Sequence, residues 1–228
     1  MAIAFDASGN SSLSANPSWT HTPVGAPKGV LVVLVQDDGS DESGALAVTY
    51  GGESLSLLGM VDGSAASEPG RVYFYLLAST SLTGARTVAV TGGTVNKLAS
   101  SYTVTTGGGN VEQVGSIGSV VSSSQDDPTT NITNSSALTS LTFSGIKSGL
   151  GSDANVTADA NHTKNHGGSM TGDSANLEYR SSTSTGNPLA VGWVTSVADD
   201  VTLGAVALAE AGAPAAGKVQ RFALLGVG

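Results

Sequence analysis

The sequence predicts an all-β protein, a two-sheet β-sandwich of jelly-roll or Greek-key character without long helices. Short apolar runs rich in Val, Tyr and Thr recur at intervals of roughly 8 to 12 residues between turn-forming residues, which is the spacing of sandwich strands. No stretch combines a helix cap with an apolar face of helical period. With 39% hydrophobic residues in 228, the chain has enough apolar surface to build a core.

The strand signals are local and follow one another along the chain. Residues 71–78 (RVYFYLLA) carry apolar side chains at both odd and even positions, which predicts a central strand covered on both faces. The Gly51-Gly52 pair between two apolar runs predicts a two-residue hairpin. The sequence is also compatible with a single helical turn around Ala154 or at residues 65–68. The predicted strands are 29–36, 46–50, 54–61, 71–78, 85–91, 98–106, 111–121, 138–143, 189–196 and 202–209.

The chain is predicted to form a single sandwich domain over residues 1–210. The polar segment SSSQDDPTTNITNSS predicts a loop insertion near 122–136, and two smaller domains that divide at this segment are the alternative. No repeat with the period of about 20 to 50 residues that marks solenoids and propellers is visible.

Residues 211–228 form a small-residue linker followed by an apolar tail. The tail is either the last strand of the same sandwich or an arm that adds to a neighbouring subunit by strand addition. Four apolar residues would make the contacts of such an arm: Phe222, Leu224, Leu225 and Val227.

The net charge of the chain limits the classes of partner that it is expected to bind. A net charge of −9 and a pI near 4.5 oppose binding to nucleic acid and to anionic membranes. No apolar run approaches the roughly 18 residues of a spanning helix. The N-terminal residues lack the basic and apolar regions of a secretion signal, yet the Ser-, Thr- and Gly-rich composition is typical of a protein exposed outside cells. A virion component, made in the host cytoplasm, reconciles the two observations.

Two histidines stand at a spacing that metal sites use. His162 and His166 are four residues apart in NHTKNHGG, which would place both on one face of a helix, and Asp159 and Asp173 are near enough in sequence to join them. The flanking Asn, Thr and Gly favour a polar loop instead.

An acidic segment, DDGSDES, follows the apolar run at 29–36 and includes Asp37, Asp38, Asp41 and Glu42. Carboxylates are the hard oxygen ligands that Ca²⁺ takes. The spacing differs from that of an EF-hand, and a solvated hairpin loop is the alternative. No metal or other cofactor is therefore expected.

Catalytic patterns are lacking in the sequence. There is no G-x-S-x-G elbow for a nucleophilic serine. A glycosidase needs two facing carboxylates, and the glutamates at 53, 68, 112 and 178 stand at isolated positions. The protein is expected not to be an enzyme, and no catalytic residue is assigned.

Several motifs resemble those of an uncharacterised family of β-sandwich structural proteins from tailed bacteriophages and prophages. They are SWTHTPVGAPKGVLVVLVQ, VTYGGESL, EPGRVYFYLL, LTGARTVAVT and DDVTLGAVALAE, and together they span residues 18–210. The resemblance implies the sandwich fold and a role in the virion. It rests on packing and turn motifs, so it implies no site residue.

The expected function is that of a structural virion protein, either a capsid decoration, a head-fibre or a tail-associated subunit. Its expected partners are copies of itself in a symmetric homo-oligomer and other virion proteins. The alternative is a carbohydrate- or cell-surface-binding module, whose ligand would be a host surface glycan. A glycan-acting enzyme is the third possibility.

Overall fold

A computed structural model describes residues 3–64, 70–134, 138–170 and 172–212. The regular structure in this part of the chain is β-strand, apart from one 3₁₀ turn at Asp153–Asn155. This turn includes Ala154, where the sequence is compatible with a helical turn. None of its helical segments is long and apolar enough to cross a membrane. The strands are β1 (Ala4–Asn10), β2 (Ser18–His21), β3 (Gly29–Gln36), β4 (Ala47–Tyr50), β5 (Glu53–Ser54), β6 (Ser56–Asp62), β7 (Arg71–Leu77), β8 (Arg86–Thr91), β9 (Lys97–Thr105), β10 (Val111–Gln125), β11 (Thr129–Ile132), β12 (Leu141–Ser148), β13 (Val156–Ala158), β14 (Thr163–Ser169), β15 (Ser174–Tyr179), β16 (Leu189–Thr195) and β17 (Asp199–Glu210).

These strands form four antiparallel sheets, which confirms the all-β prediction. Inner sheet 1 has the order β1-β9-β3-β7-β6, and inner sheet 2 has the order β10-β17-β12-β15-β14. Outer sheet 1 is β2-β8-β4-β5, and outer sheet 2 is β11-β16-β13. The sheets pack face to face, as predicted for a β-sandwich, and the described chain has four of them instead of two.

Three apolar layers hold the stack together. The central layer joins the inner sheets through residues such as Val33 and Phe74 on one side and Phe143 on the other. A second layer packs inner sheet 1 against outer sheet 1 around Tyr73 and Trp19. The third lies between inner sheet 2 and outer sheet 2. Each inner sheet is therefore covered on both faces, as continuous apolar strands require.

Strand β7 has the environment that its sequence predicts. Phe74 belongs to the central layer, and Tyr73 and Tyr75 belong to the layer under outer sheet 1. The two-residue hairpin is also confirmed: β4 and β5 pair across Gly51 and Gly52, whose φ angles of 57° and 91° suit glycine.

The first half of the chain (residues 3–105) and the second half (residues 111–210) have the same strand order. The order β1-β9-β3-β7-β6 is repeated as β10-β17-β12-β15-β14, and β2-β8-β4 is repeated as β11-β16-β13. Even irregularities correspond, since β6 shifts register between Leu57 and Gly59 and β14 shifts between Lys164 and His166. In the described chain only β5 lacks a counterpart.

The two halves are related by an approximate two-fold axis along the strands. The contact of β7 with β17 has its counterpart in β15 with β9, and that of β7 with β12 in β15 with β3. Strands β3 and β12 contact each other, as two equivalent strands on such an axis would. The repeat is not visible in the sequence, because the equivalent strand segments have diverged. For example, residues 97–105 and 201–209 have no identical residue at any aligned position.

The polar segment at 122–136 differs from the loop insertion expected there. Strand β10 continues to Gln125, and β11 occupies Thr129–Ile132. Thr130 and Ile132 are buried, whereas Thr129 and Asn131, which alternate with them, face outward. This half-buried outer strand therefore has the polar composition of a loop. The four residues of the expected arm, Phe222, Leu224, Leu225 and Val227, lie outside the described residues.

Candidate functional site at the junction of the two halves

A group of charged side chains lies where the two halves meet, at the end of the inner sheets at which β3 and β12 terminate. Asp37 and Asp38 directly follow β3, Lys147 is the penultimate residue of β12, and Asp173 directly precedes β15. We call these four residues the junction cluster. One carboxylate oxygen from each of the three aspartates lies within 4.8 Å of the others.

Lys147 forms two ion pairs, one with Asp38 of the first half and one with Asp173 of its own half. Its Nζ lies 2.8 Å from Oδ1 of Asp38 and 2.8 Å from Oδ2 of Asp173. Lys147 and Asp173 are each 1% exposed, whereas the Asp38 side chain is 49% exposed. Burial alone would lower the pKa of Lys147, but the hydrogen bonds and charges of Asp173 and Asp38 outweigh it and raise that pKa.

The oxygens of the cluster are only partly satisfied. Within the described part of the chain, Oδ1 of the buried Asp173 accepts no hydrogen bond. Oδ1 of Asp37 accepts the backbone N–H of Asp38 at 3.0 Å. Burial, followed by the charges of Asp173 and Asp38, raises the pKa of Asp37. A negative potential therefore persists beside Lys147.

Two further carboxylates at the start of β17 add to this potential. Burial raises the pKa of Asp200 to about 6, with further contributions from the hydrogen bond and charge of Asp199, while the charge of Lys147 opposes the shift. The set of side chains offers oxygen ligands and one ammonium, so its chemistry is that of binding a hard cation or a proton.

Only part of the acidic segment predicted from the sequence reaches this cluster. Asp41 instead accepts the N–H of Ser43 at 2.8 Å, the chief reason that its pKa is lowered. Glu42 is buried and forms an ion pair with Lys97. The acidic segment thus has two environments: Asp37 and Asp38 face inner sheet 2, whereas the residues after them pack against the first half.

The two histidines have separate partners. His162 Nε2 lies 2.9 Å from the hydroxyl of Thr142, and His166 Nε2 lies 2.8 Å from the carbonyl oxygen of Ser11. Burial is the main cause that lowers the pKa of each. A spacing of four aligns ligands on a helix, but His162 directly follows a turn and His166 lies in β14. Neither belongs to the carboxylate group described above.

Glu178 is the most deeply buried glutamate in the described chain. It is 0% exposed, and its Oε1 accepts a hydrogen bond of 2.7 Å from Ser144. Its Oε2 has no hydrogen-bond partner among the described residues. Burial raises its pKa well above the ordinary range, and the charge of Asp159 adds to this. Glu53 binds Thr80 elsewhere, so these two glutamates do not form a facing pair.

Lys147 and Asp173 were not assigned together from the sequence. The only signal for Lys147 is a lone cation within the apolar run LTFSGIKS, which implies a buried counter-charge. Comparison with protein families, with curated proteins and with solved structures finds no match. Function is therefore inferred from the fold and the surfaces of this chain.

Proposed function

We propose that the protein is a structural subunit of a tailed-bacteriophage virion, either a capsid decoration, a head-fibre or a tail-associated protein, which acts by protein–protein assembly. The observation that carries the proposal is the strand order of the first half. Its sheets β1-β9-β3-β7 and β2-β8-β4-β5 have the order of an eight-stranded jelly roll, with β6 added at one edge. Jelly rolls form viral capsid domains as well as lectin domains.

The outer sheets offer uncharged faces for contacts between subunits. On β2 and β8 the outward residues include Thr20 and Thr87, which are cross-strand partners, and Thr91; on β11 they are Thr129 and Asn131. Interface cores are depleted in charged residues, because a charge that loses its water needs a partner. Such faces suit stable burial against other subunits of a particle.

The distribution of aromatic residues favours assembly over the alternative of glycan binding. Sugar-binding sites commonly stack sugars on exposed rings, and no ring is exposed in the described part of the chain. Trp19 and Trp193 point inward and donate to Ser101 and Ser144. The half-buried rings of Phe5 and Tyr179 stack on each other with centroids 4.0 Å apart.

The first test is the protein content of purified particles. Mass spectrometry of virions from the phage or induced prophage that carries this gene should detect the chain at a fixed ratio to the major capsid or tail proteins. Consistent absence from purified particles would contradict the proposal. A glycan array with the isolated chain tests the alternative, which strong selective binding would establish.

The second test locates the assembly face. Thr87→Lys on outer sheet 1 and Asn131→Lys on outer sheet 2 each place one charge on an exposed position, so each should change stability by less than about 0.5 kcal/mol. The substitution on the docking face should reduce co-sedimentation with capsids or tails, and the other serves as its control. Undiminished co-sedimentation of both variants would exclude the outer sheets as docking faces.

A further inference from the structure

We propose that the junction cluster is a site for a divalent cation of the calcium type, held by Asp37, Asp38 and Asp173, and that the ion links the first half of the chain to the second. Asp37 and Asp38 come from the loop after β3, and Asp173 comes from the turn before β15. Nothing in the proposed role in the virion requires this site.

The spacing of the oxygens fits such an ion. One oxygen of each aspartate lies within 4.8 Å of the other two. Ca²⁺ binds oxygen at about 2.3 to 2.6 Å, so two ligands on one ion are at most about 5 Å apart. Three carboxylates at this separation can thus coordinate a single ion without a large movement of the backbone.

The charges also favour a divalent cation. The three aspartates carry three negative charges when ionised, and Lys147 supplies one positive charge. The ammonium contacts Oδ1 of Asp38 and Oδ2 of Asp173, which leaves the second oxygen of each carboxylate for another ligand. A 2+ ion would neutralise the remainder, and the half-exposed Asp38 gives it access from solvent.

A second observation points to a missing ligand. Asp173 is 1% exposed, and its Oδ1 accepts no hydrogen bond from any residue that the structure describes. A buried carboxylate oxygen without a partner is destabilising, and such oxygens normally bind a donor, a metal ion or water. Because Asp173 contributes an oxygen to the cluster of three aspartates, an ion that its carboxylate binds through both oxygens would satisfy Oδ1.

The ligand set defines the class of ion. Carboxylate oxygens without imidazole or thiolate select hard cations, and the flexible arrangement suits Ca²⁺ better than the strict octahedron of Mg²⁺. With three protein carboxylates, one of them half exposed, the expected Kd is about 10⁻⁴ to 10⁻³ M, in the range of extracellular calcium modules.

The test uses the full chain after treatment with a chelator. Calorimetric titration with CaCl₂ at pH 7.5 should give saturable binding, and saturating Ca²⁺ should raise Tm by about 5 °C because the ion binds only the folded state. MgCl₂ should bind more weakly. Absence of Ca²⁺ binding would overturn the proposal, and so would binding that leaves Tm unchanged.

Variants locate the ion. Asp38→Asn and Asp173→Asn should each weaken Ca²⁺ binding at least tenfold and abolish the rise in Tm. Asp38 is half exposed, so its variant stays informative if Asp173→Asn fails to fold. Glu112→Gln, which removes an exposed carboxylate on β10, should bind like the wild type. Unchanged binding by Asp38→Asn, or an equal loss in Glu112→Gln, would refute the assignment.

Discussion

Charged side chains in the interior of this molecule hold loops together. Lys97 is 0% exposed and forms an ion pair with Glu42. Oε1 of Glu42 also accepts the backbone N–H groups of Thr94 at 2.6 Å and Val95 at 3.1 Å. Although burial opposes it, the hydrogen bonds from Lys97 and Thr94 lower the pKa of Glu42 to about 2. The loop after β3 is thereby fixed to the loop before β9.

Removal of Lys97 should be costly for this reason. Lys97→Met would leave Glu42 buried without its counter-charge, and we expect a loss of about 3 to 5 kcal/mol in the free energy of unfolding, measured by urea denaturation. Adding Glu42→Gln should recover part of the loss. Lys28→Met, at an exposed position, is the control, and an equal effect of both lysine substitutions would disprove this role.

The buried Glu178 should make stability depend on pH. Because its pKa is raised in the folded state, the folded protein binds the proton more tightly than the unfolded chain. The contribution is full below the unfolded value of about 4.3 and is lost as pH rises toward the folded pKa. Glu178→Gln should therefore match the wild type at pH 4 and exceed its stability at pH 8.

Urea unfolding of wild type and Glu178→Gln at pH 4, 6 and 8 measures this difference. Glu112→Gln, on an exposed position, controls for the change in net charge. Parallel pH profiles for wild type and Glu178→Gln would show that Glu178 does not titrate as expected.

At the scale of elements, the two inner sheets approach each other through a pair of glycines. Gly145 on β12 lies directly opposite Gly204 on β17. A Cβ at Gly145 would lie 2.9 Å from a methyl of Val35, and one at Gly204 would lie 3.0 Å from the ring of Phe74. Because these two positions carry no side chain, the large residues of inner sheet 1 fill the space there. At this point the central layer therefore consists mainly of side chains from inner sheet 1.

A side chain at Gly145 should force the inner sheets apart. Gly145→Ala should lower the free energy of unfolding by about 1 to 3 kcal/mol, and Gly145→Leu should lower it further, as measured by urea denaturation. Gly44→Ala is the matched control, because no atom of the described residues, apart from the chain neighbours of Gly44, lies within 4 Å of a Cβ there. Equal stability of Gly145→Leu and wild type would contradict this packing.

The strands that the sequence predicts are those with apolar side chains on buried positions. Strand β3 has the predicted bounds, and the burial of all its residues follows from its apolar run. Strand β14 has the sequence TKNHGGS and gives no such signal. Strand β15 buries Asn176 and Glu178, although residues of these types are usually exposed to solvent. Polar residues that pair across a sheet or pack against another layer are indistinguishable from loop residues in one sequence.

The junction cluster, too, is predictable only in part from the sequence. The acidic segment indicates Asp37 and Asp38 as possible cation ligands, but Asp173 and Lys147 stand far away in the chain. Their proximity depends on the packing of the two halves, and no local pattern reports it.

At the scale of the whole molecule, the largest apolar layer lies between the halves. Phe143 from the second half packs there against Tyr102 of the first, with ring centroids 5.0 Å apart. Separation of the halves would expose this layer to water, so neither half should remain folded without the other.

We therefore expect thermal unfolding in a single calorimetric transition. Phe143→Ala should cost about 3 to 5 kcal/mol and lower the hydrogen-exchange protection of β8 and β16 together, although these strands belong to opposite outer sheets. Val194→Ala, at an exposed position, should change neither quantity. Two transitions, or loss of protection confined to the second half, would show that the halves unfold independently.

The approximate two-fold axis relates outer sheet 1 to outer sheet 2, but these sheets differ, because one has four strands and the other three. A dimer of two identical halves would present the same surface on its front and its back. By carrying both halves in one chain, this protein can vary each surface separately. Its two outer surfaces therefore differ in chemistry, so one of them can bind a partner while the other stays in contact with solvent.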